Sequence, residues 1–131
     1  MTSARCVLDA SAVLAWLFRE RGEAVVDRML EHAALSAVNL AEVLYQADET
    51  GMRTEHLQRD LEALGLRVVA FTDEDATLVQ EVRRAAQRER QRLAFADCCC
   101  LATGLRLNLP VVGGDQAWER LRLGIDVHPI R

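Results

Sequence analysis

Four acids in this chain sit where an acid is poorly accommodated. Asp9 ends the apolar run Cys6-Val7-Leu8, Glu42 lies between Ala41 and Val43, Asp97 between Ala96 and Cys98, and Asp115 just past Val111-Val112-Gly113-Gly114. A charge among apolar neighbours needs compensation. Two carboxylates ~4 Å apart repel by about 1 kcal/mol in water and about 4 kcal/mol at an effective dielectric near 20, so four gathered acids need protons or a cation. Hard oxygen ligands suit Mg²⁺ or Mn²⁺. Such an ion generates a hydroxide nucleophile and binds a phosphodiester oxygen. The chemistry expected of a gathered set is therefore metal-dependent phosphodiester hydrolysis. The residues alone leave a second reading open, in which the acids act separately. Asp9 and Asp115 would then be turn residues, Asp97 an N-terminal helix charge and Glu42 part of a solvated face.

Gathering them is the task of the elements. Cys6 to Leu8 suits a strand buried on both faces, and Ala12 to Phe18 continues as a helix, with Ser11 available as its cap. In an open parallel sheet, ligands bind beyond the carboxyl ends of the strands, where Asp9 falls. Val25, Val26, Met29 and Leu30 mark a second short helix, and Ala34-Leu35-Ser36 a weak strand or connector. The helix from Ala37 to Gln46 carries Asn39 three residues before Glu42, on the same face. Thr54 to Leu64 forms another helix, with Leu57, Leu61 and Leu64 in register. Arg67 to Phe71 is a strand, and Thr72-Asp73-Glu74-Asp75 a cap and acidic first turn for the helix that follows. A helix from Ala94 to Leu107, a strand Leu109 to Val112, a short helix Gln116 to Leu121 and a strand Ile125 to His128 complete the chain. This alternation predicts one α/β domain over residues 1–131, with a mostly parallel central sheet flanked by helices on both faces.

The 131 residues carry a net charge of −4, so no overall basic footprint marks the chain for nucleic acid. All sixteen basic residues are Arg. Without Lys, the chain does not match phosphoacceptor domains or haloacid-dehalogenase-type phosphatases, which also begin with a strand-end Asp but rely on a Lys. One local basic run exists: Arg83, Arg84, Arg88, Arg90 and Arg92, with Glu89 the one acid among them. It is either a solvated helix end and loop or a phosphate-contacting strip. Cys98, Cys99 and Cys100 point about 100° apart on a helix and cannot share one metal, so with Cys6 they are expected as buried fillers. His32, His56 and His128 are scattered, and Trp16 and Trp118 are expected in the core or an interface. Asp9 interrupts the apolar N-terminal stretch, which reads as neither signal peptide nor membrane span, and a cytoplasmic location is expected.

Four segments in order, Val7-Leu8-Asp9-Ala10-Ser11-Ala12, Ser36-Ala37-Val38-Asn39-Leu40-Ala41-Glu42-Val43, Leu93-Ala94-Phe95-Ala96-Asp97 and Leu109-Pro110-Val111-Val112-Gly113-Gly114-Asp115, resemble the acidic motifs of PIN-domain ribonucleases. The nearest likeness is to VapC-like toxins of type II toxin-antitoxin systems. That resemblance implies a PIN-like fold and endonucleolytic RNA cleavage with Mg²⁺ or Mn²⁺. It implies Asp9, Asp97 and Asp115 as metal ligands, Glu42 on a metal-bound water, and Ser11 and Asn39 in support. It also implies a homodimer and a cognate antitoxin that covers the groove, with DNA reached only through that antitoxin and no membrane involved. Many relatives carry Ser at the position of Ala94 and Thr or Ser at that of Gly113, so two hydroxyls near the acids are missing. A non-catalytic PIN-like binding module and a housekeeping RNA-processing nuclease are the alternatives.

Overall fold

The computed structural model describes residues 4–114 and 116–130. Five strands form one sheet: β1 (Cys6–Leu8), β2 (Ala33–Ser36), β3 (Arg67–Val69), β4 (Val111–Val112) and β5 (Val127–His128). Their spatial order is β3-β2-β1-β4-β5, and every pairing is parallel. The helices are α1 (Ala10–Leu17), α2 (Glu23–Met29), α3 (Ala37–Glu49), α4 (Leu57–Ala63), α5 (Asp73–Arg88) and α6 (Phe95–Leu107). Gln116–Leu121 is a short 3₁₀ helix.

The expected α/β architecture stands, and strand alternation explains its two cores. Leu8, Leu35 and Val112 pack with residues of α1 to α4, whereas Val7, Ala34 and Val111 pack with α5, α6 and Trp118. Successive strand side chains point to opposite faces, so each strand contributes to both layers, and both layers are apolar. All four cysteines are buried and free, as expected of fillers. Leu57 and Leu61 pack inward, but Leu64 is largely exposed, because α4 ends at Ala63 and the chain turns there.

Strand order fixes where a ligand can approach. The chain leaves β1 toward β2 and β3, then crosses to the other side of β1 to form β4. Loops diverge at such a switch point and open a crevice beyond the carboxyl ends of the strands. Asp9 follows β1 there, and Gly113 and Gly114 follow β4.

Candidate functional site

Asp9 is 4% exposed and is itself the N-cap of α1. The cap expected at Ser11 lies two residues earlier, because Asp9 is extended (φ −89°, ψ 172°) and its carboxylate already accepts the Ala12 amide at 2.8 Å. Ser11 serves the same carboxylate from inside the first turn, with Oγ 2.9 Å from each oxygen. The Gly114 amide donates to Oδ2 at 2.7 Å. Every one of these donors is neutral. Burial pushes the Asp9 pKa up; the Ala12, Ser11 and Gly114 hydrogen bonds oppose that shift, and the nearby Glu42 carboxylate adds to it.

The glycine turn after β4 is shaped around this acid. Gly113 has φ +135°, and a Cβ there would stand 2.1 Å from Asp9 Oδ1. A side chain at this position has no room in the turn as it stands. Gly114, at φ +68°, is covered by the Trp118 ring, 2.5 Å from where its Cβ would be.

The second wall comes from α3, capped by Ser36, whose Oγ accepts the Val38 amide at 3.2 Å. Asn39, 1% exposed, donates through Nδ2 to Glu42 Oε1 at 3.2 Å and to the Ala96 carbonyl at 3.3 Å. One amide thus orients Glu42 and ties α3 to the start of α6, while Asn39 Oδ1 remains buried without a hydrogen-bond partner. Asp97 forms the third wall, in the first turn of α6, and its carboxylate reaches back to accept the Ala94 amide at 3.3 Å. Ala94 has no side-chain oxygen to return the bond, so the capping box is only half made.

Asp9, Ser11, Glu42 and Asp97 line one open cleft of about 250 Å³, together with Gln46 and Trp118. Their charges converge on the interior as well. The buried Cys100 thiol, which donates to the Leu8 carbonyl at 3.7 Å, is held well above its usual pKa by burial and by Asp9, Asp97 and Glu42. Among the described residues no basic side chain lines the cleft. Carboxylate oxygens grouped in one open cleft are the donor set of a hard divalent ion, so the residues fit one chemically. Among the described residues, no three His, Cys, Asp or Glu side chains stand close enough to ligate an ion as they are. Asp115 lies outside the described residues.

The basic run divides. Arg83 and Arg92 line a cavity between the end of α5 and the start of α6, whereas Arg84 and Arg88 line a separate one with Glu81 and Arg122. Arg90 follows α5 in a left-handed conformation, φ 54°. The sequence reading missed three contributors to the cleft. Gly114 acts through its backbone N–H, Gln46 is one turn from Glu42, and Trp118 covers the glycine turn. Only Gln46 carried a signal, its spacing of four from Glu42. His32, His56 and His128 line no part of the cleft.

Among solved structures, FitAcB from Neisseria gonorrhoeae is similar at 24% identity and TM-score 0.73, covering 95% of this chain and 97% of its own. DNA-bound VapBC from Salmonella typhimurium is similar at 17% identity and TM-score 0.72, with coverage of 98% and 99%. A member of the VapBC family of toxin-antitoxin systems from Mycobacterium tuberculosis is similar at 21% identity and TM-score 0.61, with coverage of 100% and 99%. At these identities the likeness is one of fold. Comparison with curated protein sequences gives no match. The PIN domain family model matches residues 6–123, from β1 past the 3₁₀ helix, and so takes in the whole acidic cleft and the turn that supports it: the chain belongs to the PIN domain family.

Proposed function

We propose that this chain is an endoribonuclease that hydrolyses RNA phosphodiester bonds with Mg²⁺ or Mn²⁺ and serves as the toxin of a toxin-antitoxin pair. The observation that carries the reading is Asp9, a buried carboxylate held, among the described residues, by neutral donors only and facing Glu42 and Asp97 across a cleft that no described basic residue lines. Asp9, Glu42 and Asp97, with Asp115, would hold the ion. When bound, the ion supplies a hydroxide at neutral pH and charge for the scissile phosphate.

The chain's own residues do the rest. Ser11, Ala12 and Gly114 fix the Asp9 carboxylate before any ligand arrives, which removes the cost of ordering it. Asn39 turns Glu42 toward the cleft, and Glu42 accepts the proton of the attacking water. Asp97 is a ligand whose helix is tied to α3 through Asn39 and Ala96. Ser11 and Asn39 are positioning residues. Within the Arg83–Arg92 run, Arg83 and Arg92, which line the cavity beside the cleft, supply phosphate contacts for RNA.

The partners follow from the same reading. The solved relatives described as VapBC, one of them bound to DNA, support a small cognate antitoxin that blocks the cleft, with DNA reached only through it. A homodimer in the cytoplasm completes the proposal; no described helix is long and apolar enough to cross a membrane.

To test it, pure protein is incubated with structured RNAs in Mg²⁺, Mn²⁺ or EDTA, beside Asp97→Asn. Cutting with metal is expected, with none in EDTA and a loss of roughly 10–100-fold or more in the variant, the lower bound being what disturbed metal-site groups typically cost. Cutting in EDTA, or undiminished cutting by Asp97→Asn, overturns the mechanism. Growth arrest on expression, relieved by the product of an adjacent small reading frame, tests the toxin role.

A further inference from the structure

The cavity between α5 and α6, about 510 Å³, lies beside the acidic cleft without belonging to it. One helical turn separates the two: Phe95 and Cys98 line the larger cavity, and Asp97 lines the cleft. A second link joins them on the far side. Gln91, in the wall of the larger cavity, donates through Nε2 to the Ala117 carbonyl at 2.6 Å, next to Trp118 of the cleft.

The two hollows have opposite chemistry. No acidic residue is among the described residues lining the larger one, which presents the Arg83 and Arg92 guanidiniums and the Gln87 amide. Neither arginine takes part in an ion pair among the described residues. At the rim stands Phe95, 71% exposed, on a helix whose next turns are fully buried. A bare aromatic ring beside two guanidinium forks and an amide matches a nucleotide. The ring stacks on a base face, the forks take phosphate oxygens and the amide meets a base edge. The volume lies within the range of about 300–1,000 Å³ that ligand pockets span.

We propose that this cavity is a base-binding subsite for single-stranded RNA, in which Phe95 stacks on the base of a nucleotide flanking the scissile phosphate and Arg83 and Arg92 hold its backbone. The inference rests on the RNA reading above and deepens it. It also divides the basic run, assigning Arg83 and Arg92 to the bound strand and leaving Arg84 and Arg88, which line a different cavity, outside the subsite.

The test is binding of a fluorescein-labelled ten-nucleotide RNA, read by anisotropy in EDTA so that cutting does not intervene. Wild type is set beside Phe95→Ala, Arg83→Gln, Arg92→Gln and Arg84→Gln, each checked for an unchanged melting temperature. Phe95→Ala weakens binding roughly tenfold, the scale of one lost base stack. A single abasic nucleotide at the matching position weakens wild type by the same factor and Phe95→Ala no further. Arg83→Gln and Arg92→Gln each lower the salt slope by about 0.7, as for one phosphate contact to a single strand, and Arg84→Gln leaves it unchanged. Equal binding by Phe95→Ala overturns the subsite, and so does a loss that no abasic position reproduces. A switch of oligomeric state in Phe95→Ala, with RNA binding retained, overturns it in favour of a protein interface. Cleavage in Mg²⁺ is scored separately: base-dependent binding without cutting keeps the subsite and defeats the nuclease reading, and cutting without base-dependent binding does the reverse.

Discussion

Two buried aspartates in this molecule have opposite surroundings. Asp75, fully buried at the start of α5, is met by the Arg106 guanidinium, by Thr103 Oγ1 at 3.2 Å and by the Thr72 amide at 3.2 Å. Arg106 also donates to the Ala70 carbonyl at 3.1 Å, so one cation ties β3's exit, α5 and α6 together. Asp9 is buried nearly as deeply, but among the described residues it has neutral donors and two neighbouring acids instead of a cation. A buried charge that only needs to be stable is given a counter-charge from the protein. Asp9 has none among the described residues, and that makes its charge available to something from outside.

The largest effect should come from breaking the satisfied acid. Arg106→Leu leaves Asp75 buried without its cation and should cost about 3–5 kcal/mol, read by urea denaturation. A loss under 1 kcal/mol would mean that Thr103 and Thr72 suffice, and the contrast with Asp9 would lose its meaning.

The next prediction concerns pH. Burial raises the Asp9 pKa, so the folded protein binds that proton more tightly than the unfolded chain does. Its contribution is therefore fully present below the unfolded value near 3.8 and is lost as pH rises through the folded value. In EDTA, wild type should be most favoured over Asp9→Asn at acid pH and lose that advantage by about 1.4 kcal/mol for each unit of the shift. Added Mg²⁺ should restore the advantage at neutral pH. A difference between the two proteins that does not vary with pH would mean that Asp9 is solvated in solution.

The smallest effect is a gain. Ala94→Ser supplies the missing oxygen of the α6 capping box and should add about 0.5–1 kcal/mol of stability, with Asp97 held more firmly. A melting temperature unchanged or lowered would show that residue 94 cannot adopt the capping geometry.

Local chemistry was legible in the sequence wherever the signal was short. The strand-acid-helix start, the Thr72 cap with its acidic turn and the α/β alternation all follow from neighbours within a few residues. Asn39 and Glu42 were paired correctly because i, i+3 spacing on a helix is rigid. Ser11 and Asp9 can both cap the first helix by composition, and only the direction of chain exit from β1 selects Asp9. The split of the basic run was hidden as well: adjacent Arg83 and Arg84 look alike in sequence, but about 100° of helix rotation sends them to different cavities.

By itself the sequence determined which acids are out of place, which elements carry them and which chemistry they could share. Convergence belonged to the tertiary structure. Gly114 reaches Asp9 across 105 residues, Asn39 reaches Ala96 across 57, and Arg106 reaches Asp75 across 31. Periodicity and capping act over a turn or two of chain, whereas these contacts depend on strand order and helix packing. The same fold that gave Asp75 its arginine gave Asp9 none among the described residues, and no spacing along the chain separates those two fates.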